Sequence, residues 1–177
     1  VSHSGPVMAA ETNNASQSLP ISYDGQYNHG LDDKRRVQVP SKWRPETGEM
    51  AWKALLWPRQ DLQGHYLVVL TAAAHAKVME RLSANSMADE KGLKVLRYFS
   101  RNSGDLIMDK AGRVCIPENL AKGAGIGKEV VMVGMWDRFE VWSKERFDQT
   151  VESEDLSVAM DLGKYFANPN PNPTPVL

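Results

Sequence analysis

The chain repeats itself, and this repetition constrains its fold more than any other feature. Asp32 to Pro40 (DDKRRVQVP) lies over Asp109 to Pro117 (DKAGRVCIP) without a gap. In that register Asp32 falls on Asp109, Arg36 on Arg113, Val37 on Val114, Val39 on Ile116 and Pro40 on Pro117. Agreement this dense points to a duplicated structural unit. The fold therefore has to build one strand-and-turn grammar twice.

That grammar can be followed downstream of each copy. Alternation in Val37–Val39 and Val114–Ile116 predicts short half-buried strands, stopped by Pro40 and Pro117 and followed by a short helical turn. In the second copy Glu129–Val133 reads as a strand, Gly134–Asp137 as a turn, and Arg138–Trp142 as the returning strand. Ser143 is placed to cap a helix whose apolar face would carry Phe147 and Val151. The first copy offers the same order, with Ala54–Trp57 as a strand, Pro58–Gly64 as the connection and Tyr66–Leu70 as the return. Thr71 then caps a helix bearing Val78, Met79 and Leu82, and a further helical stretch, Glu90–Phe99, leads to the second copy. The expected class is α+β, with residues 23–83 and 104–150 as tandem hairpin modules and 84–103 as a helical linker.

Residues 1–22 are rich in Ser, Asn, Ala and Gln and read as a disordered tail. Residues 151–177 are acidic and then alternate Asn or Thr with Pro, which favours extended polyproline conformations, and read as a second tail. The apolar fraction of 42% in 177 residues suffices for one core, or for two small ones sharing an interface. No run approaches the roughly 18 apolar residues of a membrane span, so the chain reads as soluble and cytoplasmic. Cys115 is the only cysteine, which excludes an internal disulfide and any zinc site of several thiolates.

With a formal net charge of −1, affinity for a polyanion would have to come from a local patch. Around the first motif, Lys34, Arg35, Arg36, Lys42 and Arg44 outnumber Asp32 and Asp33. Around the second, Lys110, Arg113, Lys122 and Lys128 outnumber Asp109 and Glu118, whereas the chain beyond Glu129 is acidic. Lysines and arginines on a short turn can reach phosphates, and an arginine can also read guanine in the major groove. The plain alternative is that each Asp pairs with its own Arg and merely shapes the turn. Both can hold together, Asp32 and Asp109 orienting arginines that face a ligand.

Other residues carry less. His3, His29, His65 and His75 show no ligand spacing, so no metal or other cofactor is expected. The carboxylates Asp32 with Asp33, and Glu152 with Glu154 and Asp155, read as solvated faces. Gly123–Gly127 (GAGIG) lacks the preceding strand and the lysine of a phosphate loop and reads as a helix-to-strand turn. Trp43, Trp52, Trp57, Trp136 and Trp142 are interleaved with Val, Leu and Phe, which favours core or subunit-interface packing over base stacking. Cys115 reads as an inert strand residue.

LDDKRRVQVPSKWR and LIMDKAGRVCIPENLAKGAGIGKEVVMVGMWDRFEVWSKERF resemble the two halves of an MraZ-family protein, across about Asn28 to Phe147. The resemblance implies a fold similar to the AbrB swapped-hairpin class, its two modules forming a pseudo-symmetric double-ψ-like unit. It further implies a ring-like homo-oligomer that binds double-stranded DNA at direct repeats in the promoter of the division and cell-wall gene cluster. The family's first motif falls on Asp32, Lys34 and Arg36, and its second on Asp109, Gly112 and Arg113. Where the family has Gly before the motif arginine, this chain has Arg35, which predicts a first turn of different shape. The DNA-facing set is expected to be Lys34, Arg35, Arg36, Lys42, Lys110 and Arg113, in a regulator associated with the nucleoid, with no membrane and no small-molecule substrate as partner. The rival is a ring-forming interaction scaffold without DNA binding. A hydrolase using Asp32 and Asp33 ranks third, because no nucleophile, ligand set or cofactor loop accompanies them.

Overall fold

The computed structural model describes residues 21–45, 50–59, 64–86, 89–150, 158 and 162. The chain begins with strand β1 (Gln26–Gly30), the Asp32 turn, β2 (Arg36–Gln38) and a 3-10 turn (Ser41–Trp43). The hairpin β3 (Ala51–Arg59) and β4 (Gly64–Thr71) follows, then helices α1 (Ala72–Ser86) and α2 (Glu90–Arg101). The second pass runs β5 (Ser103–Ile107), the Asp109 turn, β6 (Arg113–Cys115), α3 (Glu118–Gly123), β7 (Glu129–Gly134) and β8 (Arg138–Ser143). A further helix, α4, covers residues 144–150. The architecture is α+β, with tandem passes through one element order.

Local chemistry accounts for the boundaries. Pro40 and Pro117 end β2 and β6 and start the helical turns behind them. Thr71 Oγ1 accepts the Ala74 amide at 3.2 Å and Ser143 Oγ accepts that of Arg146 at 3.2 Å, each capping the helix it precedes. Asp89 does the same for α2 through Lys91, at 3.2 Å. Phe147 packs its ring against Trp142, whereas Val151, expected on the same helical face, lies outside the described residues.

Pairing between the passes is where the sequence-based reading falls short. The six-stranded sheet runs β1-β7-β8-β4-β3-β5, and β2 and β6 form a separate two-stranded ribbon. Thus β1 pairs with β7 of the second pass, while β5 pairs with β3 of the first. In the ribbon Val37 faces Val114, its own counterpart in the repeat. Segments 23–83 and 104–150 consequently interleave in one sheet and share one core. Strands β1 and β5 were not anticipated, because QYNHG and SGDLI lack a strong period-2 pattern.

Pro58 lies inside β3, opposite His65, and not in the connection where its ring would first place it. The reason is local. Strand β5 pairs only with Ala51–Leu55, so beyond it β3 has a free edge where a missing amide costs no ladder bond. Ile21, assigned by composition to the tail, packs on the core, and Tyr23 is fully buried.

One sheet face, with the ribbon and α3, encloses the main core around Trp43, Trp52, Leu67, Val69 and Phe139. The other face packs Leu55, Val68 and Leu70 against Phe99 of α2. Trp43 and Trp52 are core residues with satisfied indole N–H groups, donated to the Asp24 carbonyl at 3.1 Å and to Tyr23 Oη at 2.8 Å. Trp136, by contrast, is not a core residue of the single chain. It sits 79% exposed in the β7–β8 turn, with φ +71. The close approach of Gly134 to Tyr23 puts Trp136 opposite Tyr23 as an isolated bridge and leaves its side chain outside.

Candidate nucleic-acid interface

The two Asp-x-x-x-Arg turns have the same hydrogen-bond design. Asp32 Oδ1 accepts the amides of Lys34 and Arg36, both at 2.9 Å, and Oδ2 accepts Nε and Nη2 of Arg36, both at 2.7 Å. Asp109 Oδ1 accepts the amides of Ala111 and Arg113 at 2.9 Å, and Oδ2 accepts Nε and Nη2 of Arg113 at 3.0 and 2.8 Å. Each carboxylate closes its loop and fixes one edge of its guanidinium, leaving the remaining N–H donors of a partly exposed side chain without a partner among the described residues. These turns are built from within five residues, which is why the repeat could be read from sequence.

The same bonds set the acidity of the aspartates. The Arg36 amide foremost holds Asp32 below the usual carboxylate range, and the Arg113 amide does so for Asp109. The stability they contribute is therefore fully present above the unfolded-chain value near pH ~4 and is lost as pH falls through the depressed folded value. Asp109→Asn is expected to be less stable than the wild type at pH 7, with the difference shrinking steadily below about pH 4. Urea unfolding at three pH values checks this, and a pH-independent difference would refute it.

Arg35 occupies the position where Gly112 stands in the second turn. Both take positive φ, +57 and +75, and both turns close alike, so the first turn does not differ in shape as expected. An arginine in this region costs about 1–2 kcal/mol, and its compensation is visible. In the second pass Gly112 lies under Arg44, whose Nε and Nη2 donate to the Val39 carbonyl at 2.8 and 2.6 Å; a Cβ on Gly112 would come 2.6 Å from Arg44 Nη1. The counterpart of Arg44 in the repeat is Ala121, which brings no guanidinium to Ile116, the counterpart of Val39. Arg35 Nε donates to the Ile116 carbonyl instead, at 3.3 Å. Arg35 is thereby half-buried and turned back onto the ribbon.

The antiparallel ribbon assembles these turns on one surface. Val37 and Val114 point into the core, so their neighbours Arg36, Gln38, Arg113 and Cys115 line the outward face. Arg36 lies across from Cys115 and Arg113 across from Gln38, putting the two arginines diagonally, about 7 Å apart along the strands. Gln38 Nε2 ties the turns together by donating to the carbonyls of Ala111 and Gly112, at 2.9 and 3.1 Å. Lys34 and Lys110 stand exposed in the turns and Lys42 in the 3-10 turn, none with an ion-pair partner among the described residues. Among those residues no group of three His, Cys, Asp or Glu could hold a metal, and no helix is long and apolar enough to cross a membrane.

The fold is thus of an α+β class in which two interleaved passes place paired basic turns on one exposed β-ribbon surface. Comparison with known proteins supplies the family. Residues 102–162 match the family model described as "MraZ protein, putative antitoxin-like". The chain is 33% identical to a transcriptional regulator MraZ of Clostridium tetani over 71% of this chain and 84% of the relative. It is 34% identical to that of Clostridium acetobutylicum over 77% and 90% of the two chains. It is also 33% identical to that of Halothermothrix orenii over 78% and 97%. This chain belongs to the MraZ family.

Proposed function

We propose that the protein is a DNA-binding transcriptional regulator whose ribbon face meets the duplex. The carrying observation is the pair of matched turns on a two-stranded ribbon, each holding its arginine by one edge. A two-stranded ribbon fits the major groove, and an arginine fixed on one side presents its free donors to phosphate or guanine at reduced entropic cost. In this reading Asp32 and Asp109 orient Arg36 and Arg113. Lys34, Lys42 and Lys110 add phosphate contacts, and Arg35 supports the ribbon more than it reaches outward. Each protomer offers a modest patch, so a ring-like homo-oligomer engaging consecutive direct repeats would supply affinity through avidity. The promoter of the division and cell-wall gene cluster, in the cytoplasm at the nucleoid, is the proposed target, and no catalysis is invoked.

The test is binding to the chain's own upstream promoter fragment across a salt series, beside a scrambled fragment and Arg36→Ala. Selective binding that strengthens as salt falls is expected. The variant should lose about 1–3 kcal/mol of discrimination if the contact is to a base, or flatten the salt slope by about one if it is to a phosphate. Equal or absent binding to both fragments would favour a scaffold whose Asp–Arg turns are structural only.

A further inference from the structure

Helix α2 carries cations that the ribbon reading does not use. Its sequence, EKGLKVLRYFSR, sets Lys91, Lys94, Arg97 and Arg101 against one carboxylate, Glu90. Phe99 is the buried residue of the helix, and Lys94, Arg97 and Arg101, at i, i+3 and i+7, share the face opposite it. Lys94 pairs with Glu90 at 3.1 Å, while Arg97 and Arg101 have no ion-pair partner among the described residues. An exposed pair of this kind contributes little and gives way to a competing anion. With Tyr98 and Asn102 the three cations line a shallow groove of about 250 Å³.

The position of α2 separates this surface from the ribbon. Phe99 packs on the sheet face that carries Leu55, Val68 and Leu70, while the ribbon covers the opposite face. Helix, sheet and ribbon stack at about 10 Å per layer, so the α2 cations and the ribbon arginines point to opposite sides of the molecule, on the order of 20 Å apart. A straight duplex seated on the ribbon does not reach α2. The chemistry of the stripe selects its ligand. Lys94 to Arg101 spans about 10 Å along the helix axis. That length matches about three successive phosphates of one strand, at about 3.4 Å each along the duplex axis. A protein partner would instead need an apolar anchor at the centre of the patch. Leu93 and Val95 are exposed, but two residues apart they project to different flanks of the helix and make no such centre.

We infer that α2 is a second nucleic-acid surface: Lys94, Arg97 and Arg101 hold the phosphate backbone of a DNA segment other than the one seated on the ribbon, so that the protein bridges two duplexes. The inference rests on the DNA-binding reading above and adds a second contact to it. Its ligand is duplex backbone of any sequence, because phosphate contacts carry no base information.

The test immobilises the promoter duplex, saturates it with the full chain and offers a labelled scrambled duplex, comparing the wild type with Arg97→Glu/Arg101→Glu and with Arg36→Ala. Both α2 arginines are solvent-exposed, and thermal melts and mass in solution establish that the variants are folded and assembled as the wild type is. The wild type is expected to capture the second duplex, about 40-fold more tightly at about 50 mM than at about 200 mM salt for three phosphate contacts. The α2 variant is expected to keep selective promoter binding, to lose the capture, and to flatten its salt slope by about two. Capture that is absent in the wild type, or equal in the wild type and the α2 variant, would overturn the bridge and leave the ribbon reading intact. Loss of promoter binding together with capture would overturn it by placing α2 on the ribbon's own duplex. A smaller mass for the α2 variant would overturn it by making α2 a protein contact. A wild type that binds promoter and scrambled duplex alike, with Arg36→Ala unchanged, would remove the ribbon reading itself and the bridge with it.

Discussion

Phe139→Ala is expected to lower stability by about 3–5 kcal/mol, the range for truncating a fully buried aromatic. Phe139 lies at the centre of an aromatic cluster, with ring centroids 5.3 Å from Tyr23, 5.0 Å from Trp43 and 5.8 Å from Trp52. These three rings come from the first pass and Phe139 from the second, so the side chain joins the two passes. They are held by other constraints: Trp52 donates to Tyr23, Trp43 donates to the Asp24 carbonyl, and Tyr23 is bridged to Trp136. The site cannot collapse freely to fill the void, which places the cost toward the upper end of the range. Urea unfolding monitored by tryptophan emission measures it. A loss below about 1 kcal/mol would mean that Phe139 is not the junction of the core.

Gly134→Val is expected to cost about 2–3 kcal/mol, from overpacking against atoms that cannot turn away. A Cβ at Gly134 would come 2.5 Å from both Tyr23 C and Asp24 N, and 2.6 Å from the Tyr23 carbonyl oxygen. These are backbone atoms, and the Gly134 amide also donates to the Gly25 carbonyl at 2.8 Å. The strand entering β1 would have to move off β7, so faster hydrogen exchange should appear first at the amides of Tyr23 and of Gln26–Gly30. Gly127→Ala is the control, because a Cβ there meets nothing within 4 Å. Equal stability of the two variants would rule out the close approach as the cause.

Arg35 shows how far local reading reaches. Its place before the motif arginine was evident from the repeat, and positive φ without glycine argued for an altered turn. The turn is unaltered, because Ala121 leaves the Ile116 carbonyl open for Arg35 to fill. Residues 35, 116 and 121 meet only in the folded chain, so no window of sequence could supply the compensation.

The sequence by itself determined the features that close within a few residues: both Asp–Arg turns, the proline stops, the capped helices and the β3–β4 and β7–β8 hairpins. Their bonds are short-range, so residue type and spacing suffice to specify them. Tertiary structure decided which pass each strand would join. The first strand of a repeat has nearly the same local preference for its own third strand as for that of its twin, and sequence alone cannot rank the two pairings. Burying Val37 and Val114 face to face, and Phe139 among three rings of the other pass, satisfies one shared core that neither half could complete alone. That long-range burial crosses β1 onto β7 and β5 onto β3, and brings Arg36 and Arg113 to one face.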